Sequence, residues 1–248
     1  MDAAFLAVLE ELEAKRAEIL CSVSGDFYRG HAAPHHQLVP SLLRAPLSEG
    51  KLVRNEHNYF HECYARSQHL LPRGASSWEV LSVMRHHGMP TRLLDWTESF
   101  AVALFFALEA EEPQPHVWVV NAFKLNVDAK FSTTARIPLI GLDAVPDYGD
   151  AFVRVEVRAP WPYVKPLFVQ IPWRHDRLAA QKGYFTIHPD ERPLDAVSPR
   201  WARRIEIPPE AVPGAKRFLA LAGLDAFSVF PDLSGLAQLL QARYGLDT

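Results

Sequence analysis

The sequence predicts an α+β fold, with a mostly antiparallel mixed sheet flanked by helices. Three observations predict it. Strand-like and helix-like stretches are interspersed without the regular spacing of βαβ units, and no internal repeat appears. With 48% apolar and 22% charged residues among 248, the chain can bury an ordinary core. Proline is common (20) and glycine scarce (12), which suits rigid connections better than flexible linkers. No linker composition marks a boundary, so residues 1–248 read as one compact domain.

Residues 2–21 place Phe5, Leu6, Val8, Leu9, Leu12, Ile19 and Leu20 on one helix face, packing on that domain. Residues 27–30 read as a short strand ending on glycine, and 31–46 as a loop with prolines at 34, 40 and 46. A polar and aromatic helix over 55–70 is stopped by Pro72-Arg73-Gly74. The next helix, 78–87, closes on Gly88 with Pro90 just beyond. Residues 91–96 then look like a strand, 100–109 like an apolar helix and 116–123 like a buried strand. The stretch 126–165 carries an acidic loop (Asp143, Asp147, Asp150) and a strand at 152–157. Residues 177–182 run into Gly183, and strands follow at 184–187 and 203–207. Helices near 214–223 and 233–244 complete the chain.

Composition excludes several classes. A formal charge of -3, from 26 Lys+Arg and 29 Asp+Glu, is not that of a polybasic tail protein. Two cysteines, Cys21 and Cys63, are too few for a disulfide-stapled secreted module. No apolar run reaches the roughly 18 residues of a membrane span, and Met1 opens without a signal-peptide layout, so a cytoplasmic protein without membrane contact is expected. The phosphate-cradling GxxxxGK[ST] and GxGxxG loops are absent, as is the GxSxG elbow. His57, His61, Cys63 and His69 have a spacing that can hold zinc, but the HExxH glutamate is missing, and a partly exposed helix face accounts for them.

Three polar groups sit at the edges of apolar elements. Arg29, on the strand 27–30, is permanently charged and must meet a carboxylate, a carbonyl or a phosphate; Gly30 beside it would let a ligand approach the backbone. An internal salt bridge is the plainer account. The second group is the run 86–99, where eight of fourteen residues are polar or ionisable between apolar helices. Structural roles compete here too: His86 and His87 suit a helix C-terminus, Arg92 could pair with Asp95, and Asp95 with Glu98 resembles a capping box. The third group, Gln181-Lys182-Gly183-Tyr184-Phe185-Thr186, is otherwise a turn and a strand with a solvated lysine.

Phe27-Tyr28-Arg29-Gly30, Pro40-Ser41-Leu42-Leu43-Arg44, and the runs 86–108, 179–187 and 230–240 together resemble the FRG domain family, named for its Phe-x-Arg-Gly motif. More distantly, Tyr28-Arg29-Gly30 is similar to the aromatic-Arg-Gly strand of transferases that move ADP-ribose from NAD. The run 93–99 followed by Ala101 and Ala103 is similar to their Ser/Thr motif entering a helix. Their late strand bears a glutamate; this chain offers Gln181 there, with Glu156 and Glu206 on other expected strands.

The second resemblance implies an ADP-ribosyltransferase-like fold and an NAD-dependent ADP-ribosyltransferase acting on a macromolecule, as a toxin or defence effector. Arg29, Asp95 and Gln181 would carry catalysis. Tyr28, Arg29, Gly30, His87, Thr91, Arg92, Trp96, Thr97 and Phe185 would bind NAD as substrate, with no metal. Arg29 would hold the phosphates, Thr97 or Ser99 the ribose, and Trp96 or Phe185 would stack on nicotinamide. A non-catalytic nucleic-acid or nucleotide-binding module using the same pocket is the alternative. Residues 154–204 carry ten Lys and Arg against five Asp and Glu, interleaved with aromatics, which leans the acceptor toward a DNA or RNA base. Solvated strand faces explain that mix equally well. An antitoxin or ADP-ribose-removing partner is a further expectation.

Overall fold

The structure, a computed structural model, describes residues 2–20, 25–33, 37–44, 49–71, 73–110, 114–154 and 161–246. Six strands form one open sheet: β1 (Asp26–His31), β2 (Leu93–Thr97), β3 (His116–Asn121), β4 (Leu167–Val169), β5 (Gly183–Ile187) and β6 (Ala202–Glu206). Their order is β4-β5-β2-β1-β3-β6, and every pairing is antiparallel, so the expected mixed sheet is antiparallel throughout.

The helices between them are α1 (Ala3–Glu18), α2 (Glu49–Ser67), α3 (Ser77–His86), α4 (Phe100–Leu108) and α5 (Ala122–Asp128), then α6 (Asp176–Ala180), α7 (Leu194–Val197), α8 (Val212–Leu221), α9 (Ala226–Val229) and α10 (Leu233–Tyr244). No helix among the described residues is long and apolar enough to cross a membrane.

Alternation along the strands divides the apolar residues among three cores. On one face, Leu93, Phe185, Ile187, Leu167 and Val169 meet Trp78, Leu81 and Met84 of α3. On the same face but across the sheet, Tyr28, Val117, Val119 and Ile205 meet Phe5 and Val8 of α1 and Ala103 and Leu104 of α4. The other face is covered by a third core around Phe27, Trp96, Phe168 and Tyr184. Each fully buried Leu or Phe contributes about 1.5–3 kcal/mol, so these cores hold the layers together. The first two cores do not merge. Between them, over the β1–β2 boundary, a cleft opens.

Four expectations are corrected. The strand expected at 116–123 ends at Asn121, whose side chain caps α5 by accepting from the Lys124 amide at 3.0 Å. The strand expected at 152–157 is instead a π turn, Gly149–Val153, and positions 155–157, with Glu156, lie outside the described residues. Strand β4 lies where no strand was expected. At three residues it is too short for a pattern, and Asn126 pins it by accepting from the Phe168 amide (2.8 Å) and donating to the Phe168 carbonyl (2.8 Å). The short helices α7 and α9 also went unforeseen, for the same lack of a full helical period.

Candidate functional site

The cleft has a volume of about 1180 Å³, and its floor is the place where β1 and β2 part. These strands share one register pair, Tyr28 with Thr97. Beyond it no ladder continues. The Arg29 guanidinium takes that place: Nη1 donates to the Asp95 main-chain oxygen at 2.9 Å and to Asp95 Oδ2 at 3.3 Å, while Nε donates to His31 Nε2 at 2.8 Å.

Arg85, from the last turn of α3, completes the cluster. Its Nε donates to Asp95 Oδ1 at 3.0 Å and Oδ2 at 2.9 Å, and its Nη2 also reaches Oδ2. Arg44 faces the same cleft, with Nε donating to the Val39 carbonyl at 2.9 Å. Burial pushes the Asp95 carboxyl up, but Arg85, its hydrogen bonds and Arg29 outweigh that and bring it down to about 2. Burial brings Arg29 down to about 10 against the attraction of Asp95. Arg44 is lowered by burial and then by repulsion from Arg85. The result is one ionised carboxylate facing three guanidiniums.

The opposite wall comes from the second half of the chain. Gln181 closes α6, and Lys182, left-handed at φ 47°, turns the backbone into β5. Gln181 Nε2 donates to the Val229 carbonyl at 3.2 Å, tying this wall to α9. Arg177 lies over the Phe230 ring, 4.4 Å from its centroid, and Phe106 meets Phe230 edge-on with centroids 5.8 Å apart. At the rim, burial and then Arg177 bring His86 down to about 4, and burial also lowers His175.

Of the residues singled out in the sequence, Arg29, Asp95, Thr97, Gln181 and His87 line this cleft, and Tyr28, Gly30, Trp96 and Phe185 also contribute to its lining. Thr97 is also structural, since its hydroxyl donates to the Gln181 carbonyl at 2.6 Å and accepts from the Ser99 amide at 3.0 Å. Tyr28 borders the cleft, but its ring packs edge-on against Phe100 and its hydroxyl donates to Asp26.

Thr91 and Arg92 are placed elsewhere, while Trp96, Phe185 and Gly30 reach the lining but are taken up largely by packing. Arg92 points away into a buried pair with Glu56, at 2.6 and 2.7 Å, stacked on Phe152. Thr91 is buried beside it, its hydroxyl accepting from the Leu93 amide. Arg92 therefore does not pair with Asp95. The Trp96 indole leaves on the other face, donating to Thr186 Oγ1 at 3.0 Å, and Phe185 is buried in the α3 core. Gly30 is required by the close approach of α4: a Cβ there would lie 1.9 Å from the Ala103 oxygen and 2.6 Å from the Ala107 nitrogen.

The capping box expected from Asp95 and Glu98 is also replaced. Ser99 caps α4, accepting from the Val102 amide at 3.3 Å, and Glu98 accepts from the Tyr184 hydroxyl at 2.6 Å. Glu206, on the edge strand β6, pairs with Arg204 and is remote from the cleft. Among the described residues no group of three His, Cys, Asp or Glu could hold a metal.

Helix α3 ends beside β2, and α4 begins immediately after it; the first of these places Arg85 over Asp95. That stretch together with β1 holds most of the cluster. A family model described as FRG domain matches residues 25–116. The FRG match supports that family and spans β1 to the first residue of β3, so it includes Arg29, Arg44, Arg85 and Asp95. The similar runs at 179–187 and 230–240 fall beyond it. Comparison with curated proteins and with solved structures finds no match.

Arg85, Arg177, Phe106 and Phe230 were not singled out as site residues. Arg85 and Phe106 sit inside helices whose amphipathic or apolar pattern explains them without a site. Phe230 has no periodic context at all.

Proposed function

We propose that the cleft binds NAD as a substrate and that the chain transfers its ADP-ribose to a macromolecule. The observation that supports this reading best is the parted strand pair, with Arg29, Arg85 and Arg44 gathered around Asp95 on one wall and Phe106 and Phe230 on the other. Guanidiniums suit a diphosphate, aromatic faces suit a nicotinamide or adenine ring, and the volume exceeds the usual 300–1,000 Å³ of small-ligand sites.

The chemistry asked of the site is modest. The bond between ribose C1′ and the nicotinamide nitrogen breaks, and nicotinamide leaves with the bonding pair. An acceptor nucleophile then bonds C1′ and gives up a proton. Asp95, ionised and 38% exposed at its side chain, would face the developing positive charge at C1′. Gln181 would orient the ribose from the opposite wall. The fold would be ADP-ribosyltransferase-like in the sense that its ligand lies where the sheet parts.

The basic stretch 154–204 gives the nucleic-acid acceptor little support. Arg154, Lys165, Arg174, Arg192, Arg203 and Arg204 are each ion-paired, and Arg158 lies outside the described residues. The acceptor proposed is therefore a macromolecular nucleophile reached from the cleft mouth, DNA and RNA included.

One specific observation favours a second reading. Asp95 is already held by two guanidiniums, which fits a nucleotide-binding module without turnover. Incubation with NAD separates the two. Release of nicotinamide, with ADP-ribose found on added DNA, RNA or protein, is the expected result. NAD that binds and is recovered intact would establish the module instead.

A further inference from the structure

Arg29 matched the family motif, yet its guanidinium is committed: Nη1 and Nε are bound to Asp95 and His31, and the side chain is only 15% exposed. The cations that remain open to a ligand are its neighbours. Arg44 makes no ion pair among the described residues; its Nε is used on Val39, and the residue lines the cleft near enough to Arg85 to be repelled by it. Arg85 lays one edge on Asp95 and leaves Nη1 with a contact to Ser41 Oγ at the outer limit of 3.5 Å. Ser41 and Arg44 belong to one turn of chain, the 3-10 segment Ser41–Leu43 and its C-cap, so the residue that contacts Arg85 and the second cation open to a ligand are carried by the same short segment.

We infer that Arg44, Arg85 and Ser41 form the seat for the diphosphate of the ligand, and that Arg29 is a positioning residue that holds Asp95 and the parted strands. This deepens the NAD reading and rests on it for the rest of the ligand. The physical reason is charge. Three guanidiniums around one carboxylate leave an excess of positive charge in a partly desolvated place, and a second anion relieves their repulsion. Guanidiniums grip phosphate oxygens bidentately, whereas a neutral ring or sugar offers them no counter-charge.

The test is calorimetric titration with inorganic pyrophosphate, ADP, ADP-ribose and adenosine. ADP and ADP-ribose are expected to bind at least roughly 10-fold tighter than adenosine, with pyrophosphate competing. Arg44→Gln, at an exposed position, should weaken ADP by roughly 10-fold or more with an unchanged melting temperature. Arg44→Lys should recover only part of that, because it keeps the charge and loses the fork. Arg200→Gln, a surface arginine stacked on Trp201 away from the cleft, should change nothing.

Equal binding of adenosine and ADP, no binding of pyrophosphate or ADP, or full ADP affinity in Arg44→Gln would each overturn the seat. Nicotinamide release is followed on the same proteins. Arg44-dependent ADP binding without nicotinamide release keeps the seat and ends the transferase reading. Release with an unchanged NAD KM in Arg44→Gln does the reverse.

Discussion

Arg29 donates across the β1–β2 gap to the main-chain oxygen of Asp95, at 2.9 Å, where a ladder amide would otherwise stand. A side chain thus completes a backbone hydrogen bond, and the sheet can part without orphaning that carbonyl. The same guanidinium touches the Asp95 carboxylate, so one residue maintains both the opening and the charge within it.

Asp95 tests whether that charge has a function. Asp95→Asn keeps one oxygen for Arg85 and removes the negative charge. Nicotinamide release per folded molecule should fall by roughly two orders of magnitude; the melting temperature should fall as well, because Arg29 and Arg85, 15% and 22% exposed, lose the carboxylate that offsets their charge. Helix capping does not confuse the result, since Ser99 and not Asp95 caps α4. A large fall in melting temperature with normal release per folded molecule would make Asp95 a brace only.

Gly30→Ala should destabilise by about 1–3 kcal/mol or more, because the added methyl meets the backbone of α4 at Ala103 and Ala107. Gly183→Ala should cost less. Its Cβ would meet Leu178 Cδ1, the end of a side chain that can rotate away. Urea unfolding of the two variants gives the order, and the reverse order would refute the packing argument.

Arg92→Leu strands the Glu56 carboxylate, buried with Tyr148, and should cost about 3–5 kcal/mol in urea unfolding. Replacing Glu56 by leucine as well should restore much of that loss, since no charge is then left unpaired. A single variant within 1 kcal/mol of the parent would show that solvent reaches the pair.

His188 is fully buried, and burial, against the pull of Asp190, brings its imidazole down to about 3. Its folded value lies below the ordinary 6.5, so the unfolded chain binds the proton first. The stabilising contribution is complete above pH 6.5 and is lost as pH falls toward 3, at about 1.4 kcal/mol per pH unit. His188→Gln should flatten unfolding free energy against pH between 6.5 and 4 by about one proton. Identical slopes in the two proteins would place the acid sensitivity elsewhere.

Much of this molecule was legible in the chain. The spacing of Phe5, Val8 and Leu12 marked α1, and Gly88 followed by Pro90 marked the end of α3, because local periodicity and capping act over a few residues. Five of the strands were legible as well, and Arg29, Asp95 and Gln181 were singled out as polar groups beside apolar elements. What the sequence by itself determined is therefore the element types, the α+β class and the charged residues that need partners. Which partner each one takes was decided only by the tertiary structure. Arg92, just before β2, turns into a buried pair with Glu56, whereas Asp95, three residues later within β2, opens into the cleft and meets Arg29 across 66 positions. Local rules carry no information on a contact at that separation; the pairing of strands does.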